Sequence, residues 1–185
     1  MASDVEICNL AMIRLGAETI TSLSQNSANA RRCAAVFELA RDAELRKHVW
    51  NFAREKARLA ADTTPPPFGY GYQYPLPTDF LRLHPDVEAA DWQIEGGYIL
   101  TDDGAPLDVT YIKRITDTSL FDAIFDDALA WRIATDLAEE ITQSNTKKAA
   151  AQEGYRDTIR EAKRVNAVER VSDEPPADTW IATRL

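Results

Sequence analysis

The side chains that carry chemistry are few in this sequence, and they do not converge. Three adjacent carboxylate pairs occur, Asp102-Asp103, Asp126-Asp127 and Glu139-Glu140. Paired carboxylates are the groups that general acid–base work or a hard cation would use. Neighbours on a helix point about 100° apart, so the last two pairs do not share a site by themselves. Asp102-Asp103 precedes Gly104 and is explained by turn chemistry. Asp126 and Asp127, with Asp122, read as the wet side of a helix. The histidines, His48 and His84, fall in unrelated elements, and His48, near a helix end beside Trp50, reads as structural. Zinc draws on Cys and His ligands, and two of each, without CxxC or HExxH spacing, are a poor supply. The glycines never fall in a phosphate-cradling spacing, and there is no GxSxG elbow. The expectation is no catalytic residue, no cofactor and no metal.

Recognition is the chemistry that remains. Phe68, Tyr70 and Tyr72 alternate with small residues, and Trp92 follows. Aromatics are favoured anchors at interface cores. Residues 31–58 hold 8 basic and 4 acidic side chains, with Arg31, Arg32, Arg41, Arg46, Arg54 and Arg58 among the basic ones. This stretch reads either as a solvated face or as a docking surface for an acidic partner or DNA phosphates. The end of the chain carries Trp180, Ile181, Arg184 and Leu185 after Pro175-Pro176. Such an apolar anchor either folds back on its own core or packs on another subunit or protein.

Helices and strands must position these groups. Ser3 with Glu6 forms a capping box. Val5, Cys8, Met12 and Leu15 then make one apolar stripe, which Gly16 ends. Cys8 on that stripe reads as a small buried hydrophobe. Ser27 begins a longer helix, with Ala30, Cys33, Phe37, Ala40 and Leu45 inside and arginines outside. Residues 49–59 either continue that helix or start a third after a bend. Pro65, Pro66 and Pro67 stop helix signals. Residues 68–74 suit a strand or an extended loop, and short strands are expected near 80–83, 92–95, 98–101 and 107–115, with Gly96-Gly97 as a hairpin turn. They are read as one small antiparallel, meander-like sheet. Helical period returns near Asp117, with a wide apolar face from Leu120 to Ile141. Asn145 is the expected cap of a last, mostly polar helix whose thin seam is Ala151, Tyr155, Ile159 and Ala162.

The fold class is therefore α+β, mainly α. A helical bundle takes residues 1–61 and 116–171. A small antiparallel β domain, 62–115, is inserted between the second and third long helices. An extended C-terminal docking tail takes 172–185.

The 185 residues carry a net charge of −9. Residues 1–61 are net +2, 62–114 net −6 and 115–185 net −5. That balance argues against a sequence-reading nucleic-acid binder and against an anionic membrane surface. No run of apolar residues is long enough to span a bilayer. The acidic start lacks a signal-peptide layout, and two cysteines are too few for a disulfide scaffold. The chain reads as cytosolic in origin, with thiols kept reduced.

Four stretches, in order, carry a resemblance. They are Ile7-Cys8-Asn9-Leu10-Ala11-Met12-Ile13-Arg14-Leu15-Gly16-Ala17, continued by Ile20-Thr21-Ser22-Leu23; Arg41-Asp42 with His48-Val49-Trp50-Asn51-Phe52-Ala53; Tyr74-Pro75-Leu76-Pro77-Thr78-Asp79-Phe80-Leu81-Arg82-Leu83; and Phe121-Asp122 through Thr142-Gln143-Ser144. Together they resemble the tail tubular protein A family, the head-to-tail adaptors of short-tailed bacteriophages, with Val49 where the family pattern has proline. The resemblance implies a structural virion protein rather than an enzyme. The resemblance further implies synthesis in the bacterial host cytoplasm and a place in the tail or neck at the portal vertex. Members form a ring, of twelve copies, that joins the portal protein ring to the tail nozzle protein (tail tubular protein B type). DNA passes through their channel without sequence recognition, and no membrane is involved.

On that reading three contacts are expected. Trp180, Ile181, Arg184 and Leu185 anchor to the portal. Phe68, Tyr70, Tyr72 and Trp92 face the nozzle or a neighbouring subunit. Arg31, Arg32, Arg41, Arg46, Arg54 and Arg58 meet a neighbour's acidic surface. The alternatives are a head-completion or connector protein of a long-tailed phage, which shares the helical bundle, and a small acidic cytosolic enzyme with an unrecognised site.

Overall fold

A computed structural model describes residues 2–84 and 91–169. Helix α1 spans Asp4–Leu15. The Ser3 hydroxyl accepts from the Glu6 N–H at 3.2 Å, and the Glu6 carboxylate accepts from the Ser3 N–H at 2.7 Å. The capping box is thus formed as the sequence indicates. Gly16, in the left-handed region at φ +76°, ends the helix. Helix α2 spans Ala28–Lys47 behind its Ser27 cap. Helix α3 spans Ala123–Thr142. It starts later than Asp117, because Asp117 caps a single 3-10 turn, Thr118–Leu120, and Asp122 is the residue that caps the helix. Helix α4, Asn145–Val168, is capped by Ser144 rather than Asn145.

Helix α3 is the centre of the bundle and packs on the other three helices. Phe125, Leu129, Ile133 and Leu137 fill the core, while Ala130, Ala134 and Ala138 let neighbours approach closely. Helix α4 uses the thin seam expected of it: Ala151 and Ala162 are buried, Tyr155 and Ile159 half-buried. One contact on that seam depends on the absence of a side chain. A Cβ on Gly154 would sit 2.7 Å from the Trp131 indole.

The chain after α2 departs from the helical reading. Arg54–Leu59 is strand β1, not helix, so the bundle does not continue to residue 61 and the β region begins at Arg54. Trp50 is the physical reason. Its ring is buried, donates its indole N–H to the Glu44 carbonyl at 2.9 Å, and packs on Phe52 and Phe125. To fill that core position the backbone leaves the helix at extended His48. Beyond the turn β1 is mostly charged, and Arg58 pairs with Asp108 and Lys113 with Glu55 across the ladder.

The β region also departs from a single meander. Strands β2 (Tyr72–Pro75), β3 (Phe80–Leu83), β4 (Trp92–Glu95), β5 (Tyr98–Thr101) and β6 (Leu107–Lys113) join β1 in two three-stranded antiparallel sheets. Their orders are β1-β6-β3 and β2-β5-β4. Pro75 and Pro77 close β2 and send the chain from one sheet to the other. Between the sheets lies a second core of Tyr74, Leu83, Ile99, Leu107, Val109 and Tyr111. Ile112 and Leu81 turn the other way and enter the bundle core. The alternation of β6 therefore serves two cores at once.

Two charged residues read as wet, Arg41 and Asp126, are buried, and so is Glu44. Arg41 pairs with Asp42 at 2.9 Å. Glu44 is 1% exposed; its carboxylate accepts from Lys47 Nζ at 2.5 Å and from the Tyr155 hydroxyl at 2.9 Å. Asp126, 7% exposed, accepts from the Ala2 N–H at 3.3 Å through Oδ2, while its Oδ1 has no partner. Burial pushes its carboxyl up to about 6 against the pull of that N–H.

Two outcomes follow from this packing. Gly154→Ala gains helix propensity but collides with Trp131, so urea denaturation should show a net loss of about 1–3 kcal/mol; a gain would mean the indole moves freely. For Asp126 the folded form holds a proton more tightly than the unfolded chain, so its cost grows as pH rises from the ordinary carboxylate range through about 6. Asp126→Asn should therefore raise stability by roughly 1–2 kcal/mol above neutral pH and by nothing in the acid range. Thermal unfolding across pH checks both the sign and the window.

Candidate functional site

The aromatic residues singled out in the sequence come together at one end of the β2-β5-β4 sheet. Tyr72 and Trp92 both lie opposite Thr101, one from each side. Directly opposed residues share a face, so Tyr72, Thr101 and Trp92 stand abreast. Two residues along, Tyr74, Ile99 and Ile94 form the next row. This face turns toward the other sheet, and at Tyr74 and Ile99 it is completely covered. At its margins the cover stops: Tyr72 remains 43% exposed, Trp92 37% and Ile94 40%. Strand β4 is the outer strand of its sheet and is exposed along its whole length.

The preceding loop is tied to the same end. The Gly71 N–H donates to Asp102 Oδ1 at 2.8 Å. The Tyr70 hydroxyl is hydrogen-bonded to Asp91, and loss of hydration, then that carboxylate, holds the phenol above its ordinary value. The Thr101 hydroxyl donates to the Asp91 carbonyl at 2.7 Å, and the Tyr74 hydroxyl to the Asp103 carbonyl at 2.8 Å. Tyr70, Tyr72 and Trp92 are thereby set close together. Phe68 extends from the loop beside Gly69 and is 87% exposed. Ile94 belongs to the patch and was not singled out in the sequence; the signal was its place two residues after Trp92 in a strand pattern. Asp91, Glu95 and Asp102 are exposed around these apolar residues. Asp102 does more than turn the chain, since its carboxylate holds the loop across 31 positions of sequence.

The arginines do not make one face. Arg31 donates to Asn26 Oδ1 at 2.9 Å, and Arg32 pairs with Glu140 at 2.6 Å. Arg41 is buried, and Arg46 donates to the Leu81 carbonyl. Arg54 and Arg58 lie on β1, where Arg58 pairs with Asp108. Most of these cations are engaged inside the chain, and buried Arg41 does not belong to an exposed face. Trp180, Ile181, Arg184 and Leu185 lie outside the described residues.

The groups with catalytic or ligating chemistry sit in structural positions. His48 ends α2, lies edge-on to Trp50 at 4.9 Å and has its Nε2 3.3 Å from Asn166 Nδ2. Burial, then Lys163 and Arg82, pushes its pKa down. His84 is buried, as are the free thiols of Cys8 and Cys33. No group of three or more His, Cys, Asp or Glu suited to a metal ion occurs among the described residues. No helix among them is long and apolar enough to cross a membrane. What the β end offers is recognition: partly exposed apolar anchors inside an acidic rim. No protein-family model matches the chain, and no curated protein matches it.

The covered and uncovered parts of this face should respond differently to truncation. Tyr74→Ala should cost about 3–5 kcal/mol in chemical denaturation, whereas Trp92→Ala should cost about 1–2 kcal/mol. Equal losses would place Trp92 in the core instead of on a contact surface.

Proposed function

We propose that this chain is a head-to-tail adaptor of the tail tubular protein A type, a virion protein that joins a portal ring to a tail nozzle in a closed ring of copies. One observation carries the reading. The four stretches that resemble the family occupy the elements that define this architecture. The first is α1 with its Gly16 stop. The second is the end of α2 and the Trp50 turn into the β region. The third is the crossing from β2 to β3. The fourth runs from the aromatic start of α3 to the cap of α4.

The layout suits a protein with two ends. The last described residues of α4 lie at the joint, where Asn166 bonds to Val49 and Asn51. In this reading Trp180, Ile181, Arg184 and Leu185, outside the described residues, supply the portal contact. The aromatic patch lies at the opposite end of the sheets from the bundle and would meet the nozzle or a neighbour. The acidic balance of the chain lets DNA pass without being held.

Native mass and negative-stain imaging of the chain mixed with portal protein test this. A closed ring on the portal is the expected outcome, and a chain truncated after Glu174 should lose portal binding. A chain that stays monomeric beside the portal would overturn the adaptor reading, and normal binding by the truncated chain would remove the tail's role in it.

A further inference from the structure

We propose that strand β4 is a docking edge that takes an extended, lysine- or arginine-bearing segment of a partner protein as an added strand. The register shows which backbone groups are available. Gly96 and Gly97, at φ +58° and +88°, form a two-residue turn closed by Glu95 and Tyr98. In such a hairpin the closing pair exchanges both hydrogen bonds, and bonded pairs alternate along the ladder. Glu95 and Gln93 therefore direct their N–H and C=O to β5. Trp92 and Ile94 direct theirs to the outer side, where β4 has no neighbour among the described strands. The two residues with outward backbone groups are the two exposed apolar residues of the strand.

The other edges are closed to such pairing. On β2, the Gln73 carbonyl already accepts from the Asp62 N–H at 2.8 Å, and Pro75 has no N–H to give. Strand β1 carries Arg54, Lys56 and Arg58, and β3 is broken by an irregularity between Phe80 and Arg82. Charged residues, prolines and bulges are the devices that blunt an edge. Strand β4 contains no proline and no lysine, and its register with β5 is unbroken.

Charge names the occupant. Asp91 and Glu95 lie at the two ends of β4, and Asp102 follows its partner strand β5; all three are exposed. The cations of this segment belong to the other sheet or its end and turn elsewhere: Lys113 to Glu55, Arg114 to Asp42 and Arg82 to the Lys47 carbonyl. An incoming strand with basic side chains supplies the missing positive charge, and Trp92 and Tyr72 offer ring faces to those cations. A second copy is a poor occupant, since edge-to-edge pairing sets acidic rim against acidic rim.

The inference rests on the reading of this surface as a contact face, not on ring formation. The full chain is titrated with a short synthetic peptide of alternating lysine and valine. Controls are the same peptide with alternate backbone amides N-methylated and a version with glutamate for lysine. The unmodified peptide should bind and slow hydrogen exchange at the Trp92 and Ile94 amides. Both controls should bind at least about tenfold more weakly, the scale of one or two lost hydrogen bonds or ion pairs. Ile94→Pro removes an outward N–H without touching the β5 ladder and should weaken binding by a similar factor with the circular dichroism spectrum unchanged. If that variant unfolds, the exchange pattern and the N-methyl control on the unaltered chain decide. Equal binding by the N-methylated peptide, absence of protection at those two amides, or no binding would overturn the proposal. So would self-association that displaces the peptide. A failed ring assay leaves these results intact, and a failed titration leaves the ring assay intact.

Discussion

The Trp50 indole and the Glu44 residue beneath it fix the place where a helical chain becomes a β chain. The indole N–H is satisfied by the Glu44 carbonyl, so a large ring is buried without an orphan donor. The Glu44 carboxylate, itself almost completely buried, is held by Lys47 from its own helix and by Tyr155 from α4. A buried charge is tolerable only when it is paired and hydrogen-bonded in this way. The pairing reaches beyond one helix, because Arg132 of α3 also stands 3.9 Å from the same carboxylate. Three helices thus meet at the residue from which the chain turns outward. Phe52, Phe121 and Phe125 extend the contact as an edge-to-face cluster.

Everything on the β side inherits its position from that turn. Strand β1 starts directly after it, and β6 returns to the bundle with Ile112 and Ile115 in the same core. The two sheets are therefore anchored to the bundle along β1, β6 and β3. The β2-β5-β4 sheet is held mainly through the sandwich core. It is consequently the layer free to carry exposed apolar side chains, because the bundle does not need its outer strand. Asn166 reinforces the anchor from the other direction. Its side chain accepts the Asn51 N–H at 2.7 Å and donates to the Val49 carbonyl at 2.8 Å, so an otherwise polar helix is bound to the joint by backbone groups.

Local signals in the sequence located most elements, and tertiary contacts decided the rest. Ser3, Gly16 and Ser27 act within one turn of chain, and each does in the fold what its type suggests. The Gly96-Gly97 hairpin is legible for the same reason. Residues 54–59 are ambiguous because a mostly charged run, Arg54-Glu55-Lys56-Ala57-Arg58-Leu59, fits a wet helix as well as an edge strand. Only the burial of Trp50 chooses between them. The split into two sheets depends on which strands pair at long range, and neither Pro75 nor Pro77 announces a partner. Asp126, Glu44 and Arg41 look like solvent residues by type, yet each finds burial through contacts that no local pattern encodes. At the candidate site, Tyr70, Tyr72 and Trp92 were legible as aromatics in a polar setting. Their assembly against Asp91 and Asp102 was not, since it joins segments about 20 to 30 residues apart through hydrogen bonds to backbone and hydroxyl groups.

The charge of the chain takes on a different meaning once these contacts are counted. In the bundle, some acids and bases of α2, α3 and α4 pair between helices, as Arg32 with Glu140 and Lys148 with Glu139. Such exposed pairs add little stability, but they leave little field outside. In the β region Lys113 and Arg114 pair with Glu55 and Asp42, and Arg58 pairs with Asp108 on the β1-β6 ladder. The excess of acid is shared by both parts of the chain, at net −6 for 62–114 and net −5 for 115–185. What sets the β end apart is that its exposed acids Asp91 and Asp102 accompany partly exposed apolar residues. An acidic rim alone would keep that end soluble and unattached. Partly exposed Trp92, Ile94 and Tyr72 beside those acids add apolar surface, so this end combines the two features, charge and apolar anchors, on which the proposed contact rests.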